Sequence, residues 1–171
     1  MNRILFRHPE PWFTSAAKKF SRDMGEDGQK LFTLSEAEHL RVELEPILLE
    51  AIESRRKFAG FDEKLRALAE RILRAGGMNV RYEEAARWRA EHDHLGQAIH
   101  TAVERIQSTG CVVKDLDAGL LDFPARLGDE DIYYCWRLGE DRIRFYHRQD
   151  EGFSGRKPID PRDQNYQTPT Q

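Results

Sequence analysis

The residue types that could carry chemistry gather late in this chain: Asp115, Asp117, Asp122, Glu140, His147, Asp150 and Arg156. Asp122, Glu140, His147 and Arg156, with Asp115, make up the candidate site. His147 with Asp122 and Asp150 supplies one imidazole and two carboxylates, the donor types of a hard-metal or zinc site, or of a general acid/base pair. A divalent metal is the cofactor such a set would hold, but the spacing matches no metal motif and leaves its identity open. Ion-pair networks around sheets gather the same residue types and are the more ordinary reading. Asp122 stands between Leu121 and Phe123 in a strand-like run. Aspartate fits strands poorly, so it should be either solvated on an outer face or paired.

The following stretch, Gly152-Phe153-Ser154-Gly155-Arg156, has the makings of an anion cradle built from backbone donors and a guanidinium fork. Two glycines more commonly mark a turn. In that case Phe153 anchors the segment in the core and Arg156 pairs with a sheet carboxylate, Asp122 first and Glu140 second.

Strands must position these groups. Cys111–Val113 and Gly119–Ala125 are two strand candidates, and 132–138 with 142–147 form the strongest pair. There Ile132, Tyr134, Trp136 and Leu138 alternate with Tyr133, Cys135 and Arg137, while Ile143, Phe145 and His147 alternate with arginines and a tyrosine. Placing the first set opposite the second requires a two-residue Gly139-Glu140 loop of the kind a type II′ turn uses. Trp136 then faces Ile143, Tyr134 faces Phe145, and His147 shares the helix-facing side beside Ile132.

Helices precede the strands. Thr33-Leu34-Ser35-Glu36 is a capping box, and Ala37, Leu40, Leu44, Ile47 and Ala51 follow at three- and four-residue intervals. Pro46 should kink this helix. Gly60 and Asp62 interrupt the pattern before Leu65, Leu68, Ala69, Ile72 and Leu73 resume it, so residues 34–75 read equally as one helix or two. Ala85, Trp88, His92, Leu95, Ile99, Ala102 and Ile106 form a second stripe, closed by Gly110. His92 lies on that seam while His94 and His100 lie on other faces, which disfavours a helical metal site. Gly96 permits close backbone approach.

The fold class is therefore α+β: long antiparallel helices, as a hairpin or small bundle, packed on a short antiparallel sheet near the C-terminus. Residues 1–30, with Pro9, Pro11 and scattered aromatics, read as an N-terminal arm. Residues 31–159 form one domain, with helices over 31–110, a sheet over 111–148 and a closing loop over 149–159, and 160–171 are a flexible tail.

Composition narrows the function classes. The 27 basic and 30 acidic side chains nearly cancel, so nucleic acid is not an expected partner. No apolar run reaches membrane-spanning length and no secretory leader is evident, which makes the cytoplasm the expected compartment. Cys111 and Cys135 are too few and too distant for a zinc motif and read as free buried thiols in a reducing setting.

Four segments, LFTLSEAEHL, KDLDAGLLDFPAR, YYCWRLGEDRI and GFSGRKPI, resemble in order and spacing the uncharacterised bacterial family known as domain of unknown function 2203. The resemblance spans residues 31–159. It implies family positions at Gly119, Asp122, Phe123, Pro124, Cys135, Trp136, Gly139, Glu140, His147, Gly152, Phe153, Gly155 and Arg156. Ser154 departs from the usual alanine, and no activity comes with the family. Two functions are consistent with the sequence. One is an interaction or scaffold protein, a homodimer associating through its amphipathic, coiled-coil-textured helices. The other is a metal-binding protein or hydrolase-like enzyme with a site of Asp122, Glu140, His147 and Arg156.

Overall fold

The computed structural model describes residues 30–77, 81–128 and 130–160. The chain divides into two units, Met1–Lys30 and Leu31–Gln171. The expected arm, apart from Lys30, and the tail beyond Asp160 lie outside the described residues.

Helix α1 spans Leu34–Arg74 and α2 spans Tyr82–Gln107. The α1 start is the capping box read from sequence: the Thr33 hydroxyl accepts from the Glu36 amide at 3.1 Å, and the Glu36 carboxylate accepts from the Thr33 amide at 2.8 Å. α1 runs as one helix through Pro46 and Gly60. The two helices are antiparallel, with the Phe58 ring of α1 stacked on His92 of α2 at 4.1 Å. A Cβ on Gly96 would meet that ring at 3.3 Å, so the small residue is what admits Phe58. His92 is a half-buried interface histidine, its Nδ1 3.1 Å from an Asp93 oxygen.

Five antiparallel strands follow in simple meander order: β1 Val112–Asp115, β2 Leu120–Leu127, β3 Glu130–Arg137, β4 Phe145–Arg148 and β5 Lys157–Pro158. The last, from the closing segment, was not foreseen.

Helices cover one face of this sheet. The Phe32 amide donates to the Pro124 carbonyl at 2.8 Å while its ring meets Phe123 edge-on at 5.8 Å. The Arg41 guanidinium lies 5.5 Å over Trp136, and Glu38 accepts from the Ile143 amide at 2.6 Å. Ala37, Leu44, Leu48 and Ala51 of α1 and Ile99, Val103 and Ile106 of α2 are buried, as are Leu121, Phe123, Tyr134 and Trp136 of the sheet. Burial stops along the hairpin, since none of the described residues in 52–77 or 81–98 is buried.

The β3–β4 register departs from expectation. Tyr133 pairs with His147, Tyr134 with Tyr146 and Cys135 with Phe145, and the ladder begins only at Phe145. The turn is Arg137–Glu140, closed by the Glu140 amide on the Arg137 carbonyl at 3.0 Å, with Gly139 at φ 95° in its third position. Phe145 and His147 therefore share a face with Cys135 and Tyr133, opposite the face of Trp136 and Tyr134. Ile132 to Trp136 are all buried. A strand covered on both sides has no polar face to fix its register, and the apolar alternation misleads by one residue.

Candidate functional site

The register correction assembles the site. Asp122 pairs with Cys135 across β2–β3, and Cys135 with Phe145 across β3–β4, so Asp122, Cys135 and His147 project from one face of three neighbouring strands. All three are buried, Asp122 at 2 %, Cys135 at 1 % and His147 at 1 % exposure. One ligand atom from each lies within 4.8 Å of the other two. Tyr133 flanks the imidazole with its ring 5.5 Å away.

His147 is fixed at both nitrogens. Its Nδ1 lies 2.7 Å from the Arg148 carbonyl oxygen, and because a carbonyl can only accept, Nδ1 carries a proton. Nε2 is thereby turned toward Asp122, 3.2 Å from Oδ2. The other carboxylate oxygen, Asp122 Oδ1, is buried with no hydrogen-bond partner. Burial disfavours the charged ring, but the Asp122 hydrogen bond, the Arg148 carbonyl and the Asp122 charge together outweigh it and raise the His147 pKa, with Lys114 opposing. Burial first and the Asp122 charge second push the Cys135 thiol well up, while Arg156 opposes them. Cys111 is likewise raised, by burial and then by Asp122. It is not part of the three-residue cluster.

The other expected residues separate from this centre. Arg156 does close the segment onto the sheet, but onto Glu140, at 2.9 and 3.0 Å, and onto the Cys135 carbonyl at 3.3 Å. Its expected first partner, Asp122, is held by His147 instead. Glu140 is well placed because its carboxylate also accepts from the Arg137 amide at 2.8 Å and its carbonyl from the Trp136 indole at 2.9 Å. Phe153 is 39 % exposed and is no core anchor. It stacks instead on the Arg156 guanidinium at 4.6 Å, with Phe145 on that group at 4.3 Å. Asp115 caps the β1–β2 turn through the Ala118 amide at 2.9 Å, Asp117 lies 3.6 Å from Arg55, and Asp150 is exposed and outside the cluster.

Cys135 is the member that the sequence presents as a buried thiol and a position of the family pattern but not as part of the candidate site. The two-sided burial of Ile-Tyr-Tyr-Cys-Trp was the available signal, since it frees the register to bring Cys135 and His147 to one face.

A carboxylate oxygen, a thiolate sulfur and an imidazole nitrogen are the donors of a borderline metal such as zinc. The His147–Asp122 separation of 3.2 Å falls just short of the roughly 3.3 Å between ligand atoms that two tetrahedral bonds of about 2.0 Å imply, so a bound ion would need only a slight spreading of the pair. The Nδ1–H bond to a backbone carbonyl is the outer-shell contact that metal-bound histidines usually make.

Among the described residues no helix is long and apolar enough to cross a membrane. The profile of the uncharacterized conserved protein family DUF2203 matches residues 30–159, and the chain belongs to that family. No curated protein and no solved structure shows significant similarity to it.

Proposed function

We propose that this is a metal-binding protein whose buried centre, formed by Asp122, Cys135 and His147, takes one divalent ion of the zinc class. One observation carries the reading. His147 commits Nδ1 to the Arg148 carbonyl and directs Nε2 at a carboxylate whose second oxygen is buried without a partner. If Nε2 were unprotonated, its lone pair would face a carboxylate in a site shut off from water, which is strongly unfavourable. A cation resolves this conflict, either a proton making an imidazolium–carboxylate pair or a metal ion bound by all three side chains. The thiol beside the pair favours the metal, because it adds a soft donor that a proton does not need. Deep burial suits a structural centre that ties β2, β3 and β4 together better than an open hydrolytic cleft.

The test is elemental analysis of protein prepared without a metal-affinity tag and after zinc reconstitution. One equivalent in the wild type, lost in Cys135→Ser and in His147→Gln, is the expected result. Wild-type protein that remains folded yet takes up less than about a tenth of an equivalent would overturn it.

Self-association is a second reading, favoured by the apolar side chains the hairpin leaves uncovered: Val42 at 58 %, Leu49 at 49 %, Leu73 at 80 % and Tyr82 at 82 % exposure. We take the partner to be a second copy and the compartment to be the reducing cytoplasm, which suits two free thiols. Nucleic acid is not a proposed partner, given near-balanced charge.

A further inference from the structure

We infer that Arg156 is a positioning residue that latches the segment Glu151–Lys157 over the ligand face of the sheet at Cys135, and that release of this latch controls exchange at the centre. The role in metal exchange rests on the metal-binding proposal; the latch itself does not.

Entry to the centre needs an opening, because all three ligand residues are at most 2 % exposed. Openings follow the least costly local unfolding, which occurs where few side chains are buried. The segment 151–158 contains no buried residue. It is held by the two-residue strand β5, by Glu151, whose amide donates to the Arg148 carbonyl at 3.1 Å and whose carboxylate accepts from the Arg148 amide at 3.2 Å and pairs with Lys157 at 2.9 Å, and by Arg156. The guanidinium is the holder that reaches Cys135. It donates to the carbonyl of Cys135 and to Glu140, rests on Phe145, the register partner of Cys135, and is covered outside by Phe153. Its side chain is 11 % exposed, although Gly152, Phe153, Ser154 and Pro158 of the segment are exposed. A planar group is needed for this double stacking with simultaneous donation.

The segment is internally compact, so it should move as a unit. The Gly155 amide donates to the Gly152 carbonyl at 2.8 Å, and a Cβ on Gly155 would come within 2.8 Å of the Glu151 Cβ.

The experiment uses full-length protein carrying Cys111→Ala, so that Cys135 is the single thiol, first stripped of metal. Its labelling by an aromatic disulfide is followed without denaturant. Arg156→Ala and Phe153→Ala should each label roughly tenfold faster or more, whereas Arg126→Ala, which removes an exposed pair with Asp131 on the same sheet, should not. Because Phe153 is exposed, its truncation keeps the test sound even if Arg156→Ala folds poorly. Cobalt-loaded Arg156→Ala should also surrender its ion faster to a chelator, with stoichiometry unchanged. Labelling within about twofold of the parent in both variants would overturn the latch. Gated labelling in a protein that takes up neither cobalt nor zinc would overturn the metal proposal and the exchange role with it.

Discussion

With Nδ1 of His147 bound to the Arg148 carbonyl, whatever occupies the space at Nε2 sets the charge of the whole centre. In metal-free protein a proton there is favoured, because the folded state raises the ring's pKa. A raised pKa means the folded form binds the proton more tightly than the unfolded form. The resulting stabilisation is complete below the ring's ordinary value of about 6.5 and is lost as pH rises through the folded value. Urea midpoints measured in chelator from pH 6 to 7.5, below the range where the two raised thiols add a fall of their own, should therefore fall for the wild type, and the fall should be absent in His147→Gln. A wild-type profile that is flat or rises over this range would contradict the ion pair. Metal binding has the opposite slope, since the ion displaces that proton and the one on Cys135, so zinc affinity should rise with pH. At this scale the sequence was partly legible: Asp122 among apolar neighbours reads as either solvated or paired, and it is paired. Its partner is His147, because Arg156 finds in Glu140 a carboxylate already oriented by the Arg137 amide. The double-mutant cycle between Arg156→Ala and Glu140→Gln should accordingly show a coupling of about 0.5–3 kcal/mol, and additive losses would separate the two.

Elements decide which face each side chain meets, and here periodicity served helices better than strands. The α1 and α2 stripes hold because each helix has one covered side; Ala37, Leu44 and Ala51, with Ile99 and Ile106, are buried where the spacing put them. β3 is covered on both sides, so alternation carried no information about register, and the actual register moved Phe145 away from the helices and Cys135 toward His147. This separates two aromatic residues that the sequence placed together. Trp136 has no exposed surface, lies under Arg41 and donates to the Glu140 carbonyl. Phe145 is half-buried beneath Arg156. Trp136→Ala should cost about 3–5 kcal/mol in chemical denaturation. Phe145→Ala should cost about 1–2 kcal/mol, from partial area burial and a cation–π contact, and should accelerate Cys135 labelling, which Trp136→Ala should not do at matched stability. Equal costs for the two would mean they share one core.

Over the whole molecule, the helix hairpin has buried side chains at its sheet end and none at its far end among the described residues. From Ile52 outward on α1, and back to Ala98 on α2, the described residues include none that is buried; Phe58, Phe61, Leu65, Leu68 and Ile72 of α1 and Trp88, His92 and Leu95 of α2 are half-buried, with Phe58 stacked on His92. Two helices alone shield a shared stripe only from one side each, so apolar area remains for a neighbour. Charges of both signs are interspersed there, some paired within α1 as in Arg66–Glu63 and Arg74–Glu70, which leaves no large field of one sign to repel a like surface. Twofold pairing of identical helices is the commonest way to cover such a surface. We therefore expect sedimentation equilibrium at micromolar concentration to give twice the 20.0 kDa chain mass. Leu73 and Tyr82 are the most exposed large apolar side chains at the hairpin end, so changing both to Glu should yield monomer. The Asp122–Cys135–His147 cluster lies on the other face of the sheet from the helices, so Cys135 labelling and any zinc stoichiometry should be unchanged in that variant. Wild-type protein that remains monomeric at tens of micromolar would show that the hairpin stripe tolerates water by itself.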